Sequence, residues 1–92
     1  MKAHEMDSSG FYTYLLVCAD GSLYCGWALD PQQRLATHNA GKGAKYTRIR
    51  LPVTLVAQWR FETKVEAMRY EYQVKRLSRA QKLALIGASL KD

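Results

Sequence analysis

The sequence predicts an α+β fold: a small three-stranded antiparallel sheet with helices packed on it, in the order β-β-α-β-α-α. Three observations carry this. An aromatic and β-branched run, Phe11 to Cys18, is followed by Asp20-Gly21 and a second strand-like run, Leu23 to Ala28, which is the pattern of a hairpin. Helix-start signals follow at Asp30-Pro31 and at Thr63 with Glu66 three residues on. The chain has 92 residues, 48% of them hydrophobic, which suits one core and not two.

The first strand is apolar on both parities, as expected of a central strand covered on two faces. If Ala19-Asp20-Gly21 is a three-residue loop with Gly21 left-handed, Cys18 faces Ser22, Tyr14 opposes Gly26 and Leu16 opposes Tyr24. Tyr14 and Tyr24 then emerge on one face, with Gly26 leaving open space beside Tyr14. A two-residue Asp-Gly turn would slip the register and send the phenols to opposite faces. Asp30 caps a helix through about Asn39 that carries Leu35 inward. The stretch from Ala40 to Arg50, AGKGAKYTRIR, has two glycines and four basic residues and reads as an exposed cationic loop. Leu51 to Phe61 alternates as a third strand, with Pro52 near its start. Thr63 opens a helix to about Leu77 whose inward stripe is expected at Val65, Met68 and Tyr72. Ser78 to Gln81 begins a last helix expected to end at Gly87. Met1 to Gly10 is polar and reads as a flexible tail, leaving residues 11–92 as a single domain.

Charge narrows the choice of partners. Lys and Arg number 14 against 8 Asp and Glu, a formal charge of +6, so polyanions are attracted and nucleic acid leads the field. Basic composition for solubility alone is the competing account. Cys18 and Cys25 lie in strand-like runs without metal-ligand spacing, so buried free thiols are expected and zinc is not. No apolar run approaches a membrane span or a signal core. A cytoplasmic location is the expectation, with no stable protein partner implied.

Several side chains carry chemistry. Glu71 has Ala67 four residues before it and Val74 three after, which puts a carboxylate at the margin of an apolar stripe, where it must be paired, hydrogen-bonded or metal-bound. An ordinary salt bridge to Lys75 one turn later meets that need equally well. Arg34 and His38 are four apart and share a helix face, offering a bidentate phosphate ligand and a ring that titrates near neutrality, or else a plain solvated face. Tyr14 and Tyr24 are either site phenols or packed aromatics. Lys42, Lys45, Arg48 and Arg50, with Tyr46 between them, supply phosphate contacts and one stacking ring, and Lys75, Arg76, Arg79 and Lys82 extend the positive charge along the last helices.

Tyr14, then Tyr24-Cys25-Gly26, Arg34, His38 and a glutamate on a later helix together resemble the GIY-YIG nuclease superfamily. The strings DGSLYCG, HNAGKGAKYTR and EYQVKRLSRAQKLALI are similar to its small stand-alone bacterial members, and the likeness spans about Phe11 to Ile86. The resemblance implies that Tyr24 or Tyr14 orients or deprotonates the attacking water, Arg34 holds the scissile phosphate, His38 assists proton transfer, Gly26 keeps the site open, and Glu71 ligates one Mg²⁺ or Mn²⁺ ion. Tyr12 and Thr13 depart from the first signature. Trp27 stands where the repair incision enzymes of the superfamily carry a lysine, which removes a cationic neighbour from Tyr24 and favours His38 as base.

The expected function is therefore a metal-dependent endonuclease cutting DNA, more than RNA, at branched, single-stranded or end structures in repair or recombination. The alternative is a nucleic-acid-binding module of the same fold with little turnover.

Overall fold

The computed structural model describes residues 10–91. The expected tail falls, Gly10 apart, outside the described residues. Strand β1 (Phe11–Val17) lies between β2 (Leu23–Ala28) and β3 (Thr54–Phe61) and pairs antiparallel with both. Helices α1 (Pro31–Asn39), α2 (Lys45–Arg48), α3 (Lys64–Lys75) and α4 (Arg79–Lys91) complete the α+β fold.

The hairpin adopts the three-residue loop. Cys18 N–H donates to Ser22 O at 2.8 Å, Gly21 N–H donates to Cys18 O at 2.9 Å, and Gly21 takes φ 85°, which only glycine adopts without strain. Tyr14 opposes Gly26 and Leu16 opposes Tyr24, so both phenols stand on one face. The space beside Gly26 is nevertheless not open: a Cβ there would meet Tyr14 Oη at 2.6 Å, because the phenol ring lies across the glycine.

The sheet is buried on both faces. Tyr14, Leu16 and Cys18 pack with Ala28, Val53 and, from α1, Leu35. Leu15, Cys25 and Ala57 pack on the other face with Val74 of α3 and with Leu85 and Ile86 of α4. Helix α1 therefore covers one face, and α3 and α4 the other. Asp30 caps α1 by accepting from Gln32 N and Gln33 N at 3.1 and 3.2 Å, with Pro31 at the first helical position. Thr63 and Glu66 form the reciprocal capping box on α3.

Four expectations are corrected. Val65, Met68 and Tyr72 are exposed, while Ala67 and Val74 are buried and Tyr70 packs against the core cluster that includes Val74. The helix carries two apolar stripes at helical spacing, and the sheet takes the one with smaller residues, which lets α3 approach closely enough for Thr13 Oγ1 to donate to Ala67 O at 2.7 Å. The segment from Ala40 to Arg50 is not all exposed loop; it contains α2, and Thr47 is fully buried there. Strand β3 starts at Thr54, since Val53 N–H and C=O bond to the Asn39 side chain at 2.8 and 3.0 Å. Helix α4 runs through Gly87 to Lys91.

Candidate active site

Helix α1 delivers Arg34 and His38 to one open cavity of about 530 Å³, lined by Tyr24, Arg34, Thr37, His38, Lys42 and Gly43 among others. The two residues differ sharply in exposure. Arg34 is exposed, whereas His38 is 1% exposed and held by both ring nitrogens. Tyr14 Oη is 3.0 Å from Nε2, and Thr47 Oγ1 is 2.9 Å from Nδ1.

The hydrogen-bond chain assigns the protons. Thr47 Oγ1 also lies 2.9 Å from Ala44 O, a pure acceptor, so the hydroxyl hydrogen belongs there. Oγ1 can then approach Nδ1 only as an acceptor, which puts the ring hydrogen on Nδ1. Nε2 is left bare and accepts from the Tyr14 hydroxyl. The Ala44 N–H, 3.4 Å from Nδ1, is too distant to compete. Burial, and then the positive charge of Arg34, hold the His38 pKa below its usual value, so the ring is neutral at physiological pH. Burial likewise raises the Tyr14 phenol pKa, with Tyr24 adding to it and Arg34 opposing. Close packing keeps the pair in place: a Cβ on Gly43 would collide with the His38 ring.

Tyr24 stands on β2, an edge strand of the described sheet, and is reached from both layers. From one side Arg34 acts on its phenol; from the other, Lys75 and Glu71 do. Burial is the largest influence and raises the Tyr24 pKa, with Lys75 lowering and Glu71 raising it. Tyr46 of α2 stacks on Tyr24 with ring centroids 6.1 Å apart, and its ring also carries the Arg50 guanidinium at 3.8 Å. Glu71 lies on α3, one turn beyond Ala67, so the Thr13 hydrogen bond to Ala67 helps fix its position. Its carboxylate is 18% exposed and pairs with Lys75 Nζ at 3.0 Å, the ordinary salt bridge that helix spacing allowed. The same carboxylate, after burial itself, pushes the Cys25 thiol pKa up to about 12, so this cysteine is an inert core residue.

The structure thus gathers Tyr14, Tyr24, Arg34 and His38 around the α1 face, with Gly26 beneath Tyr14. Glu71 is not in the lining of that cavity; it approaches Tyr24 from the opposite helical layer. Lys42 lines the Arg34 cavity, and Lys45 and Arg48 are exposed on α2. Arg50 is engaged by Asp20 at 3.2 Å and by Tyr46 O at 2.8 Å. Arg76 donates to Tyr72 Oη at 3.0 Å. Trp27 faces the α3 layer, away from Tyr24, with the Lys64 ammonium 5.4 Å from its ring centroid. Thr47 and Gly43 were not legible as site residues, because nothing in a loop sequence says that it closes over a histidine. Lys82, which shares a second cavity with Tyr24 and Lys75, was visible only as helix charge.

A divalent ion is tested by the donors present. Among the described residues no group of three or more His, Cys, Asp and Glu converges. A hard cation with few protein ligands completes its shell with water and phosphate oxygens, and the half-buried Glu71 carboxylate suits that mode once Lys75 lets go. No helix of the described residues is long and apolar enough to cross a membrane.

Comparison with known proteins agrees with this architecture. Residues 10–84 match the GIY-YIG catalytic domain. A UPF0213 protein of Staphylococcus haemolyticus is 56% identical over 75 residues, covering 82% of this chain and 92% of its own length. One from Halobacterium salinarum is 57% identical over 74 residues, covering 80% and 96%. The solution NMR structure of a UPF0213 protein from Bacillus halodurans superposes with a TM-score of 0.56 at 52% identity, over 85% of this chain and 83% of that one. A second NMR structure, from E. faecalis, gives 0.60 at 38% identity over 91% and 93%. By the match over residues 10–84 and the identity to these relatives, this chain belongs to the GIY-YIG family of nuclease domains.

Proposed function

We propose that this protein is a divalent-metal-dependent endonuclease that hydrolyses phosphodiester bonds of DNA at single-stranded, branched or end structures, acting in the cytoplasm in repair or recombination. The observation that carries the reading is Tyr24, which shares one cavity with Arg34 and Lys42 and another with Lys75, itself 3.0 Å from the Glu71 carboxylate.

Arg34 and Lys42 bind the scissile phosphate in the α1 cavity, and Arg34 neutralises charge as it grows on the phosphate oxygens. Tyr24 Oη orients the attacking water at that cavity's edge. Its raised pKa makes it a positioning donor and acceptor before it makes it a strong base. His38 does not meet substrate. Its Nε2 accepts a hydrogen bond from the Tyr14 hydroxyl and so holds Tyr14 near Arg34. The Mg²⁺ or Mn²⁺ ion used by such domains would be held by Glu71, and would supply positive charge to the phosphate.

Labelled branched or single-stranded DNA incubated with Mg²⁺ or Mn²⁺ tests this. Wild type should nick it, and Glu71→Ala should not, while still shifting the DNA on a gel. Equal cleavage by the variant would remove Glu71 from the reaction. The second reading, a nucleic-acid-binding module without turnover, is favoured by the Glu71–Lys75 pair, which occupies the carboxylate. It prevails if wild type also binds without cutting.

A further inference from the structure

A second cavity, of about 240 Å³, adjoins Tyr24 on the side away from Arg34 and is lined by Leu23, Tyr24, Cys25, Tyr46, Lys75 and Lys82. Its composition is unlike that of the first. Leu23 and Cys25 give it an apolar floor, Tyr24 and Tyr46 give it aromatic walls, and two lysines from different helices border it, Lys75 at the end of α3 and Lys82 on α4. Apolar and aromatic walls suit a flat, weakly polar ring, and converging lysines suit an anion. A nucleotide unit has both. Tyr24 also lines the Arg34 cavity, so the two cavities are neighbours across one phenol.

We propose that this cavity is a second nucleotide subsite, which takes the base and phosphate adjacent to the scissile phosphate, with Lys82 as its phosphate ligand and Lys75 joining when it leaves Glu71. The inference rests on the endonuclease reading and narrows its substrate. A base lying on Leu23 against the edges of the stacked Tyr24 and Tyr46 rings is not stacked in a duplex, so the strand crossing Tyr24 is unpaired there. Lys82 is half-buried and has no acidic partner among the described residues, so its charge is available.

The test is an NMR titration of the ¹⁵N-labelled protein in chelator, where no turnover occurs, with dTpT and with dTpT phosphorylated at both ends. Wild type should bind the end-phosphorylated dinucleotide about threefold more tightly, the scale of one exposed lysine contact, with shifts at the Leu23 and Cys25 amides. Lys82→Gln should erase that preference and keep dTpT binding. Lys64→Gln, which removes the same charge beside Trp27, should preserve it. The subsite is overturned if Lys82→Gln discriminates like wild type, or if Thr37 and Gly43 shift while Leu23 and Cys25 do not. Wild type binding neither dinucleotide would instead overturn the nucleic-acid reading, and the subsite with it.

Discussion

Tyr14 Oη and His38 Nε2 lie 3.0 Å apart with each residue 1% exposed, and the proton between them belongs to the tyrosine. This leaves the ring behind the wall of the Arg34 cavity that it helps to line, almost wholly covered. The ring is kept in one tautomer by Thr47, which no motif singles out.

Replacing Thr47 by Val should leave Nδ1–H without an acceptor in a site closed to water. The cost is about 1–3 kcal/mol of stability, read by urea unfolding. Thr47→Ser should restore most of it. The ¹⁵N shifts of the His38 ring separate this from a mere packing loss: wild type and the serine variant should show a protonated Nδ1 and a bare Nε2, and the valine variant should not.

Acid should loosen the same contact. The folded pKa of His38 lies below its unfolded value of 6.5, so the unfolded chain binds the proton more readily. The stability is full above pH 6.5 and is lost as pH falls through the lower folded value. Arg34, Tyr14 and Tyr24 face the ring; among them only the Arg34 cation opposes protonation within this range. Thermal unfolding from pH 7.5 to 5 should show a fall in Tm that His38→Gln, though less stable throughout, does not share.

Gly26→Ala introduces a Cβ 2.6 Å from Tyr14 Oη and 2.8 Å from Cζ. Tyr14 is enclosed and hydrogen-bonded, so the ring has nowhere to move. The expected cost is about 1–3 kcal/mol by overpacking, measured by denaturant titration, together with loss of the Tyr14–His38 bond in the ring ¹⁵N spectrum.

Arg34→Ala should slow DNA cleavage by about 100- to 1,000-fold, the scale of losing one preorganised donor to a developing oxyanion. Because Arg34 is exposed, its removal should leave stability nearly unchanged. A cleavage rate within threefold of wild type would take Arg34 out of the site.

Local rules reached far in this chain. The Asp20-Gly21 turn marked the hairpin but allowed two registers; the three-residue loop of the structure selects the one that puts Tyr14 and Tyr24 on a shared face, because strand side chains alternate strictly. Asp30-Pro31 and Thr63 with Glu66 marked two helix starts because each cap satisfies backbone donors within a few residues. The inward stripe of α3 was misread, since Val65, Met68 and Tyr72 repeat at the same spacing as Ala67, Tyr70 and Val74. Periodicity finds the faces of a helix but does not say which one the sheet will take.

What the sequence by itself determined was the set of parts: the order of strands and helices, the hairpin, helix caps, positive charge, and the residues able to bind a phosphate or a cation. Tertiary structure alone decided their relations. It buried His38 beneath Thr47 and Gly43, paired Glu71 with Lys75, and brought Arg34 and Glu71 to Tyr24 from opposite faces of the sheet. The physical reason is range. Caps and turns close within a few residues, whereas burial and charge depend on neighbours that only the packing of distant segments supplies.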